Sequence, residues 1–196
     1  MQHIIMIAGS NGSGKSTIAP ALLKDAIDVV DFVNADTIAE GLCAFEPQKA
    51  AFLAGRIMLD RIHYLAKKNA NFAFETTLAS RTFSTWIPEL KKQGYQFHLV
   101  FLWLKQVDLA LARVSQRVRI GGHYVPDLTI QRRYQAGLRN FFDLYQPLAD
   151  SWYLYDNSQV NQLNLIANKI KNSPLFVKDN RSWQYLVETY HHAQPK

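Results

Sequence analysis

Gly9-Ser10-Asn11-Gly12-Ser13-Gly14-Lys15-Ser16-Thr17 follows the apolar run Ile4-Ile5-Met6-Ile7-Ala8 and opens a helical pattern that continues to residue 24. The stretch satisfies G-x-x-x-x-G-K-[ST] in full, and it lies between an expected strand and an expected helix, as the chemistry requires. Its glycines let consecutive amides bend inward onto phosphate oxygens, and the positive end of the helix adds its dipole. Gly9, Asn11, Gly12, Ser13, Gly14, Lys15, Ser16 and Thr17 are therefore the expected nucleotide-binding residues. Lys15, expected to face solvent in the loop, would reach the β- and γ-phosphates, and Ser16 would give its hydroxyl to the metal. ATP and Mg²⁺ are the cofactors this loop calls for.

Residues 28–34, 72–76, 96–104 and 152–156 are further runs rich in β-branched and aromatic types, which with the first run predicts five strands. Helical patterns fall between them at 16–24, 47–68, 84–93, 107–120 and 128–151. In the second, Ala50, Leu53, Ala54, Ile57, Met58, Ile62 and Leu65 recur at steps of three and four. Strands alternating with such helices predict an α/β fold, a P-loop NTPase or kinase-like three-layer sandwich with a five-stranded, mainly parallel sheet. Residues 1–172 read as one domain and 173–196 as a tail on it. Within the tail, 181–192 reads as an amphipathic helix docked on the body through Trp183, Leu186, Val187 and Tyr190.

With 196 residues, 48% of them hydrophobic and 19% charged, the chain can build a globular core and lies outside the disordered range. No apolar run approaches the roughly 20 residues that span a bilayer, and the first residues lack a secretion-signal pattern. One cysteine, Cys43, makes no internal disulfide. A cytoplasmic protein without a membrane partner is expected. The formal net charge is +6, and six of the ten arginines lie between Arg113 and Arg139 with no lysine and one acid, Asp127. Arginine's planar fork suits phosphate or carboxylate, the alternative being a solvated helix face with some ion pairs. Arg113 and Arg117 share one helical face, Gly121-Gly122 breaks that helix, and His123-Tyr124-Val125-Pro126 leads into the next. Helix, hinge and helix with arginines on both sides is what a closing lid needs, with Arg113, Arg117, Arg119, Arg132 and Arg133 the arginines available to it.

In parallel sheets, ligands bind at the carboxyl ends of the strands, where two acids stand. Asp36 would accept the proton of an attacking hydroxyl, or cap the helix that begins at Thr37, or do both. Glu75 closes a strand of aromatic residues, where an unpaired carboxylate is costly. Its partner is a substrate hydroxyl, a Mg²⁺-bound water or an arginine, with a structural ion pair as the alternative. The chain has no Asn-Lys-x-Asp guanine reader and no Walker-B Asp-Glu pair of the motor-ATPase kind. An acid beside the loop and an arginine-bearing lid fit a small-molecule kinase. Phosphorylation of nucleic-acid ends is disfavoured, because no RNA-binding motif or interleaved stacking aromatics accompany the arginines. A nucleotide-gated interaction module acting through the C-terminal helix is the alternative of a different class.

Four blocks in consistent order resemble the zeta-toxin family of P-loop kinases, in its short Gram-negative form. They are Gly9 to Thr17, Val33-Asn34-Ala35-Asp36, Phe72-Ala73-Phe74-Glu75-Thr76-Thr77-Leu78, and Arg117 to Pro126 running into Arg132-Arg133 and Gly137 to Phe141. The resemblance implies ATP-dependent phosphorylation of UDP-N-acetylglucosamine at its 3′-hydroxyl and restraint by an antitoxin protein. It makes Lys15 the phosphate-binding lysine, Asp36 the base, Glu75 and Thr77 acceptor-binding residues, and Arg117 the γ-phosphate arginine. Two positions depart from the family pattern. The second lid arginine falls near His123, so that its role passes to Arg119, Arg132 or Arg133, and the arginine after the acidic strand end is displaced to Arg81.

Overall fold

The computed structural model of the protein describes residues 2–24, 31–122 and 124–191. Strand β1 (Gln2–Ala8) runs through the middle of the sheet because it carries apolar side chains for both faces, Ile4, Met6, Ile7 and Ala8 all being buried. It pairs in parallel with β3 (Phe72–Thr76) on one side and β4 (Tyr95–Trp103) on the other. β2 (Asp31–Val33) extends the parallel array beyond β3, and β5 (Ser151–Gln159) extends it beyond β4. Among the described residues six helices connect these strands: α1 (Lys15–Leu23), α2 (Ala35–Leu42), α3 (Pro47–Lys67), α4 (Thr82–Lys92), α5 (Val107–Arg119) and α6 (Asp127–Asn140). The expected α/β architecture is present, with residues 28–30 of the second expected strand outside the described residues. No described helix is long and apolar enough to cross a membrane.

Among the described residues the sheet has seven strands rather than five, in the order β2-β3-β1-β4-β5-β6-β7. The additional ones are β6 (Gln162–Ile170), antiparallel to β5, and the short β7 (Phe176–Val177), antiparallel to β6. Asn164, Asn168 and Lys169 are residue types depleted in strands, and only Ile166 and Ala167 of β6 are buried. Pairing with β5 therefore supplies an extended conformation that local propensity does not.

The helix expected over 128–151 stops earlier. α6 ends at Asn140 and passes into a π-helical turn (Phe141–Tyr145), in which Gln146 N donates to Phe141 O at 2.8 Å. The wider turn buries Phe141, Phe142 and Tyr145 together. Pro147 then lacks the amide that a helix needs, and Ser151 opens β5. Phe141 packs 5.1 Å from Phe101 and 5.8 Å from Trp152 by ring centroids. The last helix, α7 (Asn180–Tyr190), lays Trp183 flat on Trp152 at 5.7 Å and buries Leu186 and Tyr190; it ends before the extended His191, and residue 192 of the expected helix lies outside the described residues.

At the amino-terminal ends of β1 and β4, His3 Nδ1 and His98 Nε2 lie 2.9 Å apart, and His98 Nδ1 is 2.7 Å from Ser151 Oγ. Burial pushes both imidazoles below the usual histidine value, and the charge of His3 adds to the effect on His98. The folded pair stays neutral where the unfolded chain takes up protons, so stability is unaffected by it above about pH 6.5 and falls as the pH drops below that value. The denaturant midpoint should be lower at about pH 5.5 than at about pH 7.5, and His98→Asn should shrink the difference. An equal drop in the two proteins would contradict this.

Candidate functional site

The loop turns because Gly14 sits at φ 87°, where a side chain is disfavoured and a Cβ would come within 2.5 Å of Asn157 Nδ2. Lys15, expected to face solvent, instead folds back and donates to Gly9 O at 2.9 Å and Ser10 O at 3.0 Å. Its ammonium is half-buried, and that burial pushes its pKa down against the opposing pull of Glu75 and Asp36. The loop carbonyls take the donors that solvent would otherwise satisfy.

Ser16 Oγ donates to Glu75 Oε2 at 3.0 Å and accepts from Asn34 Nδ2 at 3.2 Å. The side-chain oxygen of Asn34 accepts from Asp36 N at 2.8 Å, so Asn34, not Asp36, caps α2. Glu75 is buried and its Oε1 has no hydrogen-bond partner. Burial pushes its pKa up, with Lys15 and Ser16 pulling the other way. The Ser16 hydroxyl and the unpartnered Glu75 oxygen make a pair of hard oxygen donors, which fits Mg²⁺ held by few protein groups together with phosphates. The described residues contain no cluster of three or more His, Cys, Asp or Glu able to hold a metal.

Two cavities meet here. A cleft of about 700 Å³ runs from the loop past Thr17, Ile18 and Arg117 to the β5–β6 hairpin around Val160 and Asn161. A pocket of about 300 Å³ lies on the other side, lined by Thr77, Ser80, Met58, Leu59, Phe83 and Arg133 among others. Asn11, Lys15, Asp36 and Glu75 line both. Thr77 is positioned by a strained turn: Leu78 is fully buried at φ 60°, its N–H bonded to Thr76 Oγ1 at 3.0 Å and its carbonyl to Asn140 Nδ2 at 2.8 Å.

The arginines divide. Arg117 Nη1 stands 3.6 Å from Asp36 Oδ2, at the cleft side. Arg133 Nη1 donates to Asn11 Oδ1 at 3.2 Å, at the pocket side. Arg113, expected to work with Arg117 as part of a lid, gives its fork to two backbone carbonyls, Asn157 O at 2.9 Å and Ser158 O at 3.0 Å. It ties α5 to the end of β5, because the strand leaves those carbonyls turned toward the helix. Arg119 and Arg132 are exposed and line neither cavity, and His123 falls outside the described residues. Asn34, Asn140 and Asn157 were not singled out by sequence. Asn34 carries the signal of an Asn two residues before an acid at a helix start, whereas Asn157 lies 144 positions from the loop carbonyl it touches and has no local signal.

The AAA domain family matches residues 4–138. An uncharacterized protein of Haemophilus influenzae is 32% identical over 130 residues, covering 66% of this chain and 91% of that one. Among solved structures, AvrRxo1-ORF1:-ORF2 with ATP superposes with a TM-score of 0.74 at 15% identity, over 100% of this chain and 66% of that chain. This chain thus spans just under two thirds of that protein's length. A chain of the PezAT toxin–antitoxin system of Streptococcus pneumoniae superposes with a TM-score of 0.65 at 14% identity, over 100% of this chain and 81% of that one. At such identities the likeness is one of fold, a P-loop kinase-like α/β sandwich. Because the matched segment runs from the strand before the phosphate loop to the helix that carries Arg133, it embraces both sides of the site, and the chain belongs to the AAA domain family.

Proposed function

We propose that the protein is an ATP-dependent phosphotransferase that phosphorylates a hydroxyl of a small acceptor. The observation that carries this reading is the pair of cavities joined at Lys15, Asp36 and Glu75, one beside the phosphate loop and one beside Thr77. ATP occupies the cleft and the acceptor occupies the pocket. Lys15 exchanges its two loop carbonyls for phosphate oxygens. Ser16 and Glu75 would hold Mg²⁺, which when bound would neutralise charge on the phosphates. Asp36, with 43% of its side chain exposed and its Oδ2 3.6 Å from Arg117 Nη1, accepts the acceptor's proton. Arg117 and Arg133 approach the transferring group from opposite sides, and Arg133 takes the role that the zeta-toxin pattern gives to an arginine near position 123. Glu75 and Thr77 orient the acceptor.

The zeta-toxin resemblance makes UDP-N-acetylglucosamine the first acceptor to try. An antitoxin-like protein is the proposed partner, in line with the complexes in which the AvrRxo1 and PezAT proteins were solved. The cytoplasm, where ATP is abundant, is the proposed compartment.

Incubation with ATP, Mg²⁺ and a panel of nucleotide-sugars and polyols, followed by phosphorus NMR, should give a new phosphomonoester signal, and its absence with every acceptor would count against the reading. Asp36→Asn keeps the size of the side chain, and the α2 cap resides on Asn34, so the melting temperature should barely move. Phosphoryl transfer should nonetheless fall by about 10² to 10⁴, the usual worth of a general base. Unchanged single-turnover transfer would remove Asp36 from the mechanism.

Arg117→Lys and Arg133→Ala should each cut transfer by at least about tenfold, because both forks face charge that develops in the transition state. Arg119→Ala and Arg132→Ala should leave it near normal. The reverse ranking would mean that the lid closes with a different face toward the site.

A further inference from the structure

A phosphate loop binds anions only while its amides point inward. In a planar trans peptide the N–H and the preceding C=O point in opposite directions, so holding the carbonyl aims the amide. Asn157 Nδ2 donates to Ser13 O at 2.7 Å in a buried contact. The Gly14 N–H is thereby turned away from Asn157 Nδ2, and Gly14 itself lines the cleft. The same contact accounts for glycine at position 14, where a Cβ would lie 2.5 Å from Asn157 Nδ2.

Asn157 is itself held. It is 8% exposed, its carbonyl accepts from Arg113 Nη1 at 2.9 Å, and the next carbonyl, of Ser158, accepts from Nη2 at 3.0 Å. Ser158 N in turn donates to Asp156 Oδ1 at 2.9 Å. A chain of hydrogen bonds therefore runs from α5 through the end of β5 to the phosphate loop. Arg113 and Asn157 line the cleft together with Gly12 and Gly14 of the loop.

We propose that Asn157 is a positioning residue for nucleotide phosphates, keeping the Ser13–Gly14 peptide in its anion-binding orientation, with Arg113 as its anchor. The proposal rests on the nucleotide-binding reading of the loop. It assigns Arg113 to the support of the loop and leaves the lid to Arg117.

Calorimetric titration with ADP and with inorganic pyrophosphate, beside thermal melting, tests it. Asn157→Ala should weaken both ligands by at least about fivefold, the worth of one net hydrogen bond. Asn157→Asp keeps the shape but turns an acceptor toward Ser13 O, and should weaken both further. Adenosine binding, followed by ligand-observed NMR, should remain within about twofold of the wild type, since no phosphate is involved. Arg113→Ala should give a smaller loss of the same kind.

A variant that loses adenosine and ADP in equal proportion would reveal a merely structural residue and overturn the proposal. So would ADP and pyrophosphate affinities equal to wild type in both Asn157 variants. Wild-type protein that binds neither ADP nor pyrophosphate would instead overturn the nucleotide-binding reading on which the proposal stands.

Discussion

The parallel register of β1 against β3 is the constraint from which the site follows. Ile7 lies opposite Glu75 and Ala8 opposite Thr76, and Gly9 N donates to Thr76 O at 3.2 Å. That pairing ends both strands at one level, so that the phosphate loop and the acid emerge side by side. A slip of one residue would send Glu75 to the opposite face of the sheet and break its bond to Ser16. The apolar continuity of both strands makes any other register costly, because it buries polar ends or exposes the aromatic face formed by Phe72 and Phe74.

Charge at the site is distributed over two cavities. Lys15, Arg113, Arg117 and Arg133 bring four cations to two carboxylates, Asp36 and Glu75. Burial opposes the charged forms of both Lys15 and Glu75, and each eases the other's cost through its opposite charge. An excess of positive charge suits a ligand with several negative oxygens. The orphaned Glu75 oxygen and the strained Leu78 turn are costs to the fold that become intelligible if the surroundings serve a ligand.

Asparagine side chains do much of the joining. Asn34 links Ser16 to the start of α2, Asn140 holds the turn after β3, and Asn157 grips the loop. Each carries a donor and an acceptor on one short, neutral group, so it satisfies buried backbone without adding charge to a crowded site. The aromatic layer behind them, from Phe141 to Trp152 and Trp183, ties α6 and α7 to the sheet.

The amino-acid sequence by itself determined the phosphate loop, the alternation of strands and helices, and the acids at strand ends, because each rests on spacing within a few residues and on which faces must be apolar. It also concentrated arginine near two expected helices, but it did not say which of them reach the site. Tertiary structure decided that. Arg133 meets Asn11 across 122 positions, while Arg113, one turn from Arg117, lines the cleft with its guanidinium tied to the carbonyls at the end of β5. The antiparallel strand β6 likewise exists through pairing with β5 and not through its own propensity. Such outcomes depend on which groups packing brings within hydrogen-bond reach of each other, a long-range property that no local stretch of the chain contains.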